Sequence, residues 1–149
     1  MLSSLPLLLI ILFLFNIDFL SATCKANVWH YYPCSYTISS SNSCMNSMFT
    51  TVLESNDCLE QDYFWSYPIG NITMTIKLNK SFIVNLKNPL RFMKNVYRVD
   101  DDGMDTSMTT SDPIIYLKSD NNYRVRIKFQ GPDRIYYYGT FIHYSLKFD

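Results

Sequence analysis

The chain has 149 residues, with 13 basic and 13 acidic side chains and 17% charged residues, which fits one small domain and excludes a long multidomain protein. The formal net charge of zero excludes the strongly basic footprint of a nucleic-acid-binding protein. A hydrophobic content of 48%, including 16% aromatic residues, excludes disorder and predicts a substantial apolar core.

The chain starts with an apolar run from Leu5 to Phe15 that has the length of a signal-peptide core and is followed by small residues at 21–23. We therefore predict that residues 1–22 are a cleaved signal peptide and that residues 23–149 form a single secreted domain. An uncleaved membrane anchor is the alternative, because no basic residue precedes the run. Asp18 disfavours the anchor, since it leaves the run too short to cross a bilayer.

Four cysteines lie in the first part of this domain, at Cys24, Cys34, Cys44 and Cys58. An even number behind a signal peptide predicts two disulfides, and three pairings are open at this point. A zinc site is disfavoured because the spacing contains no Cys-x-x-Cys pair, so no metal is expected. Glycosylation sequons begin at Asn71 and Asn79, which also suits an exported chain.

Residues 71–78 and 123–130 alternate apolar and polar side chains, and both stretches predict strands with one buried face. The turn signal at 131–133 predicts that residues 123–149 form an antiparallel hairpin. Shorter strands are predicted at 28–32, 35–39, 48–53, 81–86, 92–98 and 113–117. The expected fold is all-β, an antiparallel two-sheet β-sandwich. An immunoglobulin domain is the second choice. It is disfavoured because the second half of the chain has no Cys that could form the disulfide between the central strands.

Few side chains suit catalysis. His30 and His143 belong to no catalytic motif, and His143 is expected at a solvent or rim position on the last strand. The acidic residues within 100–105 lack the Gly and Glu positions of a calcium loop, so we expect a solvated loop there, with a partner-protein contact as the alternative. The sequence therefore predicts a protein that is not an enzyme and has no cofactor.

The second half of the chain combines positive charge with large apolar side chains. Residues 70–149 carry twelve bases and eight acids, whereas residues 23–69 carry one base and four acids. Apolar groups rimmed by bases suit a ligand with an anionic head and acyl tails. An ordinary aromatic core with a solvated basic face is the alternative. Arg126 and Lys128 alternate outward on the most regular strand, and we expect both to be solvated.

Several segments resemble the ML lipid-recognition domain family. Cys34, Cys44 and Cys58 are similar to its N-terminal cysteine pattern. Residues 90–102 are similar to its basic strand and the acidic loop that follows. Residues 122–133 are similar to the start of its C-terminal hairpin. The resemblance covers residues 24–148 and implies a cup of two sheets that binds acyl chains without turnover. Because the family includes co-receptors of Toll-like receptors, it implies presentation of lipopolysaccharide-type or other anionic lipid to a leucine-rich-repeat receptor in innate immunity.

The resemblance also implies the disulfides and the site residues. Cys34 would pair with Cys58, and Cys24 with Cys44. The mouth of the cup would consist of Arg91, Phe92, Lys94, Arg98, Tyr116, Leu117 and Lys118. The cavity would be lined by Ile72, Met74, Ile76, Tyr123, Val125, Ile127 and Phe129. The family's second-half disulfides have no counterpart here, since Tyr97 stands where a Cys is expected.

Two other functions compete with the co-receptor. One is a secreted β-sandwich ligand or adhesion domain with a closed core that binds only protein. The other is a general carrier of sterols or phospholipids. The presence or absence of a bound acyl lipid separates the protein-only domain from both lipid-binding functions.

Overall fold

The computed structural model describes residues 23–40, 44–52, 58–87, 89, 93–108, 110–133 and 138–148. The predicted signal peptide, residues 1–22, lies outside these ranges, as do the predicted mouth residues Arg91 and Phe92. The described ranges contain no helix that is long and apolar enough to span a membrane.

The described chain forms two six-stranded sheets. The first sheet contains β1 (Cys24–Lys25), β4 (Asn46–Val52), β6 (Asn71–Lys77), β8 (Asn95–Val99), β9 (Asp105–Ser107) and β11 (Arg124–Gln130). The second contains β2 (Asn27–Tyr32), β3 (Ser35–Ser39), β5 (Glu60–Ser66), β7 (Phe82–Lys87), β10 (Ile114–Lys118) and β12 (Gly139–Phe148). The strand orders are β1-β4-β6-β11-β8-β9 and β10-β7-β12-β5-β3-β2.

The predicted all-β, two-sheet sandwich is confirmed, and its sheets are mixed rather than purely antiparallel. Among the described strands, β1 with β4, β4 with β6, and β3 with β5 are parallel pairs. The parallel pairs arise because the chain leaves one sheet and returns to it in the same direction. For example, β5 in the second sheet connects β4 to β6 in the first.

The predicted hairpin of residues 123–149 is wrong. Strand β11 pairs with β6 and β8 in the first sheet, whereas β12 pairs with β5 and β7 in the second. Both sides of β11 are therefore occupied by other strands, and no side is left for β12. After the turn signal at 131–133 the chain passes to the second sheet instead of returning along β11.

Strand β5 is absent from the sequence prediction, although it lies near the centre of the second sheet. Its inward positions are Gln61, Tyr63 and Trp65, all buried. The polar Gln61 interrupts the apolar alternation that would have indicated a strand. It is tolerated because its Oε1 accepts hydrogen bonds from the hydroxyls of Tyr63 (2.8 Å) and Tyr144 (2.9 Å), as a buried polar group requires.

Two disulfides join Cys24 to Cys44 and Cys34 to Cys58, which is the pairing that the resemblance implies. The Cα atoms are 6.1 and 5.4 Å apart, and the closed loops span 20 and 24 residues. Loops of this size each stabilise a domain by about 3 kcal/mol, chiefly by restricting the unfolded chain. Both disulfides lie at the side of the sandwich that contains β1, β4, β2, β3 and β5.

Candidate functional site

The interior between the sheets is formed by alternate residues of nearly every strand. Six of the seven predicted cavity residues lie there, each with no more than 2% of its surface exposed: Ile72, Met74, Ile76, Val125, Ile127 and Phe129. They pack with the inward side chains of the second sheet in one apolar cluster. The cavity assignment of Tyr123 is wrong. Its backbone has φ 55° in the turn before β11, so its side chain is exposed.

The side of the sandwich opposite the disulfides is formed by β8 and β9 in the first sheet and by β10 in the second. Within the described residues, no disulfide bridges this side. Its core contacts include Met93, which is buried, and Met108, which is partly buried. Methionine is unbranched and adapts to different packing partners. We call this side, defined by β8, β9 and β10, the open edge, because no disulfide of the described chain bridges it.

Arg98 is the predicted mouth base that faces the interior side of the open edge. It is paired in register with Ile127, which is fully buried, and residues paired in this way share one face of a sheet. Its Nε lies 3.3 Å from Asp100 Oδ1, and Thr106 Oγ1 donates to the other oxygen of that carboxylate at 3.2 Å. Arg98 thus stands at the lip of the interior, held by a half-exposed carboxylate.

The other described mouth residues divide between the two faces. Leu117 is buried and faces the interior from β10, opposite the sheet that carries Arg98. Tyr116 and Lys118 are exposed on the outer face of the second sheet. Lys94 lies before β8 and forms an ion pair with Asp133 at 2.8 Å. The structure therefore places Arg98 and Leu117 on the inward faces of their strands at the open edge, and Tyr116, Lys118 and Lys94 away from its interior side.

The acidic loop packs over the outer face of β11, where the sequence led us to expect solvated charges. Arg124 pairs with Asp101 at 2.6 Å and with Asp120 at 3.2 Å. Lys128 pairs with Asp105 at 2.5 Å. Arg126 lies 3.4 Å from Asp101 and donates to the carbonyl of Asp100. The expectation that Arg126 and Lys128 are simply solvated is therefore wrong, because neighbouring acids neutralise them.

Asp120 is the acid of this region with a perturbed pKa. Burial by itself would raise the pKa, but the backbone amides of Arg124 and Asn122 and the Arg124 guanidinium donate to the carboxylate and hold its pKa below the ordinary value. Asp120 therefore stays ionised and anchors the start of β11.

The two sequon asparagines differ in their surroundings. Asn79 is exposed in the turn between β6 and β7. Asn71 is half-buried at the start of β6, and its Nδ2 donates to Asn46 Oδ1 at 2.7 Å. An N-linked glycan is attached through this nitrogen, so a glycan on Asn71 has to be accommodated beside Asn46.

A second feature, which the sequence analysis missed, is a groove of about 490 Å³ on the outer face of the second sheet. His143 Nδ1 lies 2.6 Å from Asp62 Oδ1 at its edge. These residues are 81 positions apart in sequence and meet only because β12 pairs with β5 in register. No short-range pattern could have identified the pair. Within the described ranges, no cluster of three or more His, Cys, Asp or Glu side chains is arranged to hold a metal ion.

Comparison with known proteins does not assign the chain to a family. No protein-family model matches it, and no curated protein matches it in sequence. A functional assignment therefore depends on the residues and geometry described above.

Proposed function

We propose that this chain is a secreted lipid-binding protein of the ML type, which takes acyl chains between its sheets through the open edge and binds an anionic head group at Arg98. The observation that carries the proposal is the position of Arg98 on the interior-facing side of β8, at the side that no disulfide of the described chain bridges. A guanidinium at the lip of an apolar interior is complementary to an amphiphile with an anionic head.

The energetics of the interior support acyl-chain binding. Each methylene removed from water contributes about 0.8 kcal/mol, and this gain acts against the packing that is lost when the sheets separate at one edge. Met93 and Met108 can change rotamer to line the opened space. Ile115 and Leu117 on β10 provide the apolar surface of the second sheet at this edge.

Arg98 can bind a head group without losing its present partner. Asp100 lies beside the Nε atom, while a guanidinium carries five N–H donors in a planar fork. A phosphate or carboxylate at the terminal nitrogens forms charge-assisted hydrogen bonds worth about 1.5–3 kcal/mol. Asp100 then orients the guanidinium rather than competing for it.

The co-receptor role is the further part of the proposal, and it rests on the resemblance to the ML family. Tyr116 and Lys118 are exposed on the outer face of β10, close in sequence to the inward Leu117. In this position they suit contact with a leucine-rich-repeat receptor more than contact with the lipid tails. The two disulfides are compatible with an extracellular protein.

Native mass spectrometry of protein secreted from eukaryotic cells tests lipid binding. We expect a co-purifying or loadable acyl lipid, and complete failure to load lipid A, phosphatidylglycerol or a fatty acid would refute the proposal. Arg98→Ala should weaken binding of lipid A at least about tenfold. Lys147→Ala is the matched control, because Lys147 is exposed on the outer face of β12. Equal losses of lipid A binding in the two variants would show that Arg98 does not bind the head group.

A protein-only adhesion domain is the second candidate, and the tight burial of the interior favours it. Ile72, Ile127 and Leu86, for example, have no exposed surface, as in a closed core. If lipid does not load, a pull-down with Toll-like receptor ectodomains and other surface proteins decides the remaining function. Tyr116→Ala should then reduce capture, since its ring is exposed.

A further inference from the structure

Strand β2 differs from the other three strands that end the two described sheets. Strand β1 has two residues and β9 has three, whereas β10 is preceded by Pro113 and ends at Lys118. Short length, proline and lysine are features by which proteins protect a sheet edge from pairing with another chain. Strand β2 has six residues, and none of them is charged or a proline. It is therefore the least protected edge of the described sheets.

The face of β2 that points towards the interior of the sandwich is left uncovered. Val28 pairs in register with Ile38, and residues paired in this way share one face of a sheet. Ile38 has no exposed surface, whereas Val28 is 43% exposed. The first sheet ends on this side with the two-residue β1, which is too short to cover the length of β2. Val28 is therefore an apolar side chain in a core-facing position without the packing that its neighbour has.

The opposite face of β2 also exposes a large apolar side chain. Trp29 pairs in register with Thr37, and Thr37 pairs with Phe64, so all three lie on the outer face. Trp29 is 46% exposed. Beyond β2, the described part of the chain provides no further strand. Because an edge strand turns the N–H and C=O groups of every second residue away from its partner, β2 offers unpaired backbone groups between two exposed apolar surfaces.

The regular part of β2 is its first four residues. The register of β2 with β3 shifts between His30 and Tyr32, and a bulge of this kind bends the strand and limits further pairing. Residues 27–30 pair without interruption with residues 36–39. A partner strand is therefore expected to align with residues 27–30, at whose centre Val28 and Trp29 lie.

We infer that β2 pairs antiparallel with β2 of a second copy of this chain, which joins the second sheets of the two copies into one sheet of twelve strands. A second copy fits because β2 carries no charge, so two identical strands meet without repulsion. In antiparallel self-pairing each strand supplies both the donors and the acceptors that the other needs.

The faces of the two sheets determine which residues meet. Residues directly opposite one another share a face, so within residues 27–30 the two-fold axis passes through Val28 or through Trp29. We assign the axis to Trp29, because two aromatic rings directly opposite one another form a favourable cross-strand pair. Val28 then lies opposite His30 of the second copy, on the face that the first sheet leaves uncovered.

The pairing closes at two copies. Once β2 is paired, the joined sheet ends at two β10 strands, and each of these carries Lys118, which resists further pairing. Strands β2 and β10 end the second sheet on opposite sides, so the dimer leaves the open edge accessible. The inference therefore does not depend on lipid binding.

Analytical ultracentrifugation of the secreted protein, from micromolar to millimolar concentration, tests self-association. We expect a reversible equilibrium between monomer and dimer without larger species. Trp29→Lys places two ammonium groups opposite one another at the axis, so it should raise the dissociation constant at least about tenfold. Tyr116→Lys is the matched control, because Tyr116 is an exposed aromatic residue on the outer face of the other edge strand, β10. It should leave the dissociation constant unchanged.

Quenching of tryptophan fluorescence by acrylamide locates the contact. The chain has two tryptophans, and Trp65 is fully buried, so quenching reports chiefly on Trp29. Quenching should decrease as the dimer forms, and Trp29→Lys should keep the unfolding midpoint of the original protein because this side chain is exposed. A monomer at every concentration overturns the inference. Equal effects of the two lysine substitutions, quenching that does not change with dimerisation, or growth into larger oligomers would overturn it as well.

Discussion

Replacing Gln61 by Leu tests how the polar network inside the second sheet contributes to stability. Gln61 is 1% exposed. Its Oε1 accepts from Tyr63 and Tyr144, and its Nε2 donates to the Cys58 carbonyl at 3.3 Å. Leucine has a similar size but can replace none of these bonds. The variant therefore leaves two buried phenol hydroxyls without this acceptor.

The magnitude follows from the number of groups left unpaired. Each buried hydroxyl without a partner costs about 1–3 kcal/mol, so two cost about 2–6 kcal/mol. Burial of the leucine side chain returns about 2 kcal/mol. Thr51 also hydrogen-bonds with both tyrosines, which keeps the cost below the upper limit, at about 4 kcal/mol. We therefore expect Gln61→Leu to lower the free energy of unfolding by about 2 kcal/mol.

Urea unfolding followed by tryptophan fluorescence, with the disulfides intact, measures this loss. The triple variant Gln61→Leu, Tyr63→Phe, Tyr144→Phe removes the hydroxyls together with their acceptor. It should recover stability to within about 1 kcal/mol of the original protein, because replacing all partners by apolar groups is nearly neutral. Additive losses in the triple variant, or no loss in Gln61→Leu at an unchanged m value, would refute the reasoning.

Three further predictions concern pH and glycosylation. Because the pKa of folded Asp120 lies below its ordinary value of 3.8, its stabilising contribution is complete above that value and is lost as the pH falls below it. Asp120→Asn should therefore reduce the loss in the free energy of unfolding on acidification, measured by denaturant unfolding at a series of pH values. An unchanged loss would contradict the role of its contacts with Arg124. Burial raises the pKa of Tyr63 from 10.0 to about 12, so stability should hold up to pH 10 and fall between pH 10 and 12. The difference in phenolate absorbance between the protein and its Tyr63→Phe variant, which cancels the signal of the other eleven tyrosines, should then appear together with the loss of circular dichroism, and a difference already present in the folded protein at pH 10 would argue against burial. Glycopeptide mapping should find Asn79 more fully occupied than Asn71, whereas full occupancy of Asn71 would show that its bond to Asn46 yields easily.

The sequence predicted those strands that have one apolar and one polar face. In β6 and β11, residues such as Ile72 and Val125 alternate with hydroxyl or charged residues, and the buried face follows directly from the period of two. The partners of a strand are not encoded in that pattern. Strand β12 alternates just as β11 does, but its inward residues Ile142 and Tyr144 complete the second sheet.

The candidate sites were predictable only where local pattern determines position. Arg98 was expected at the mouth from the resemblance to the ML family, but its inward orientation depends on register with Ile127. The groove was not predictable, since Asp62 lies on β5 and His143 on β12, two strands that are far apart in the chain. The network of Gln61 was also hidden, because a lone polar residue in an apolar stretch gives no sign of the hydroxyls that satisfy it.

The strand order has a consequence for how the chain folds during synthesis. Among the described connections, only β2 to β3 and β8 to β9 join strands that pair with each other. All other pairs of described strands join segments that are not consecutive in the chain. Folding dominated by such distant pairings is slow, because long loops have to close before most of the stabilising contacts form. Strand β12 inserts between β5 and β7, so the second sheet remains two separate halves until residues 139–148 have been made. Until then β5 and β7 lack their common partner, and unpaired strand edges of this kind favour aggregation unless chaperones shield them.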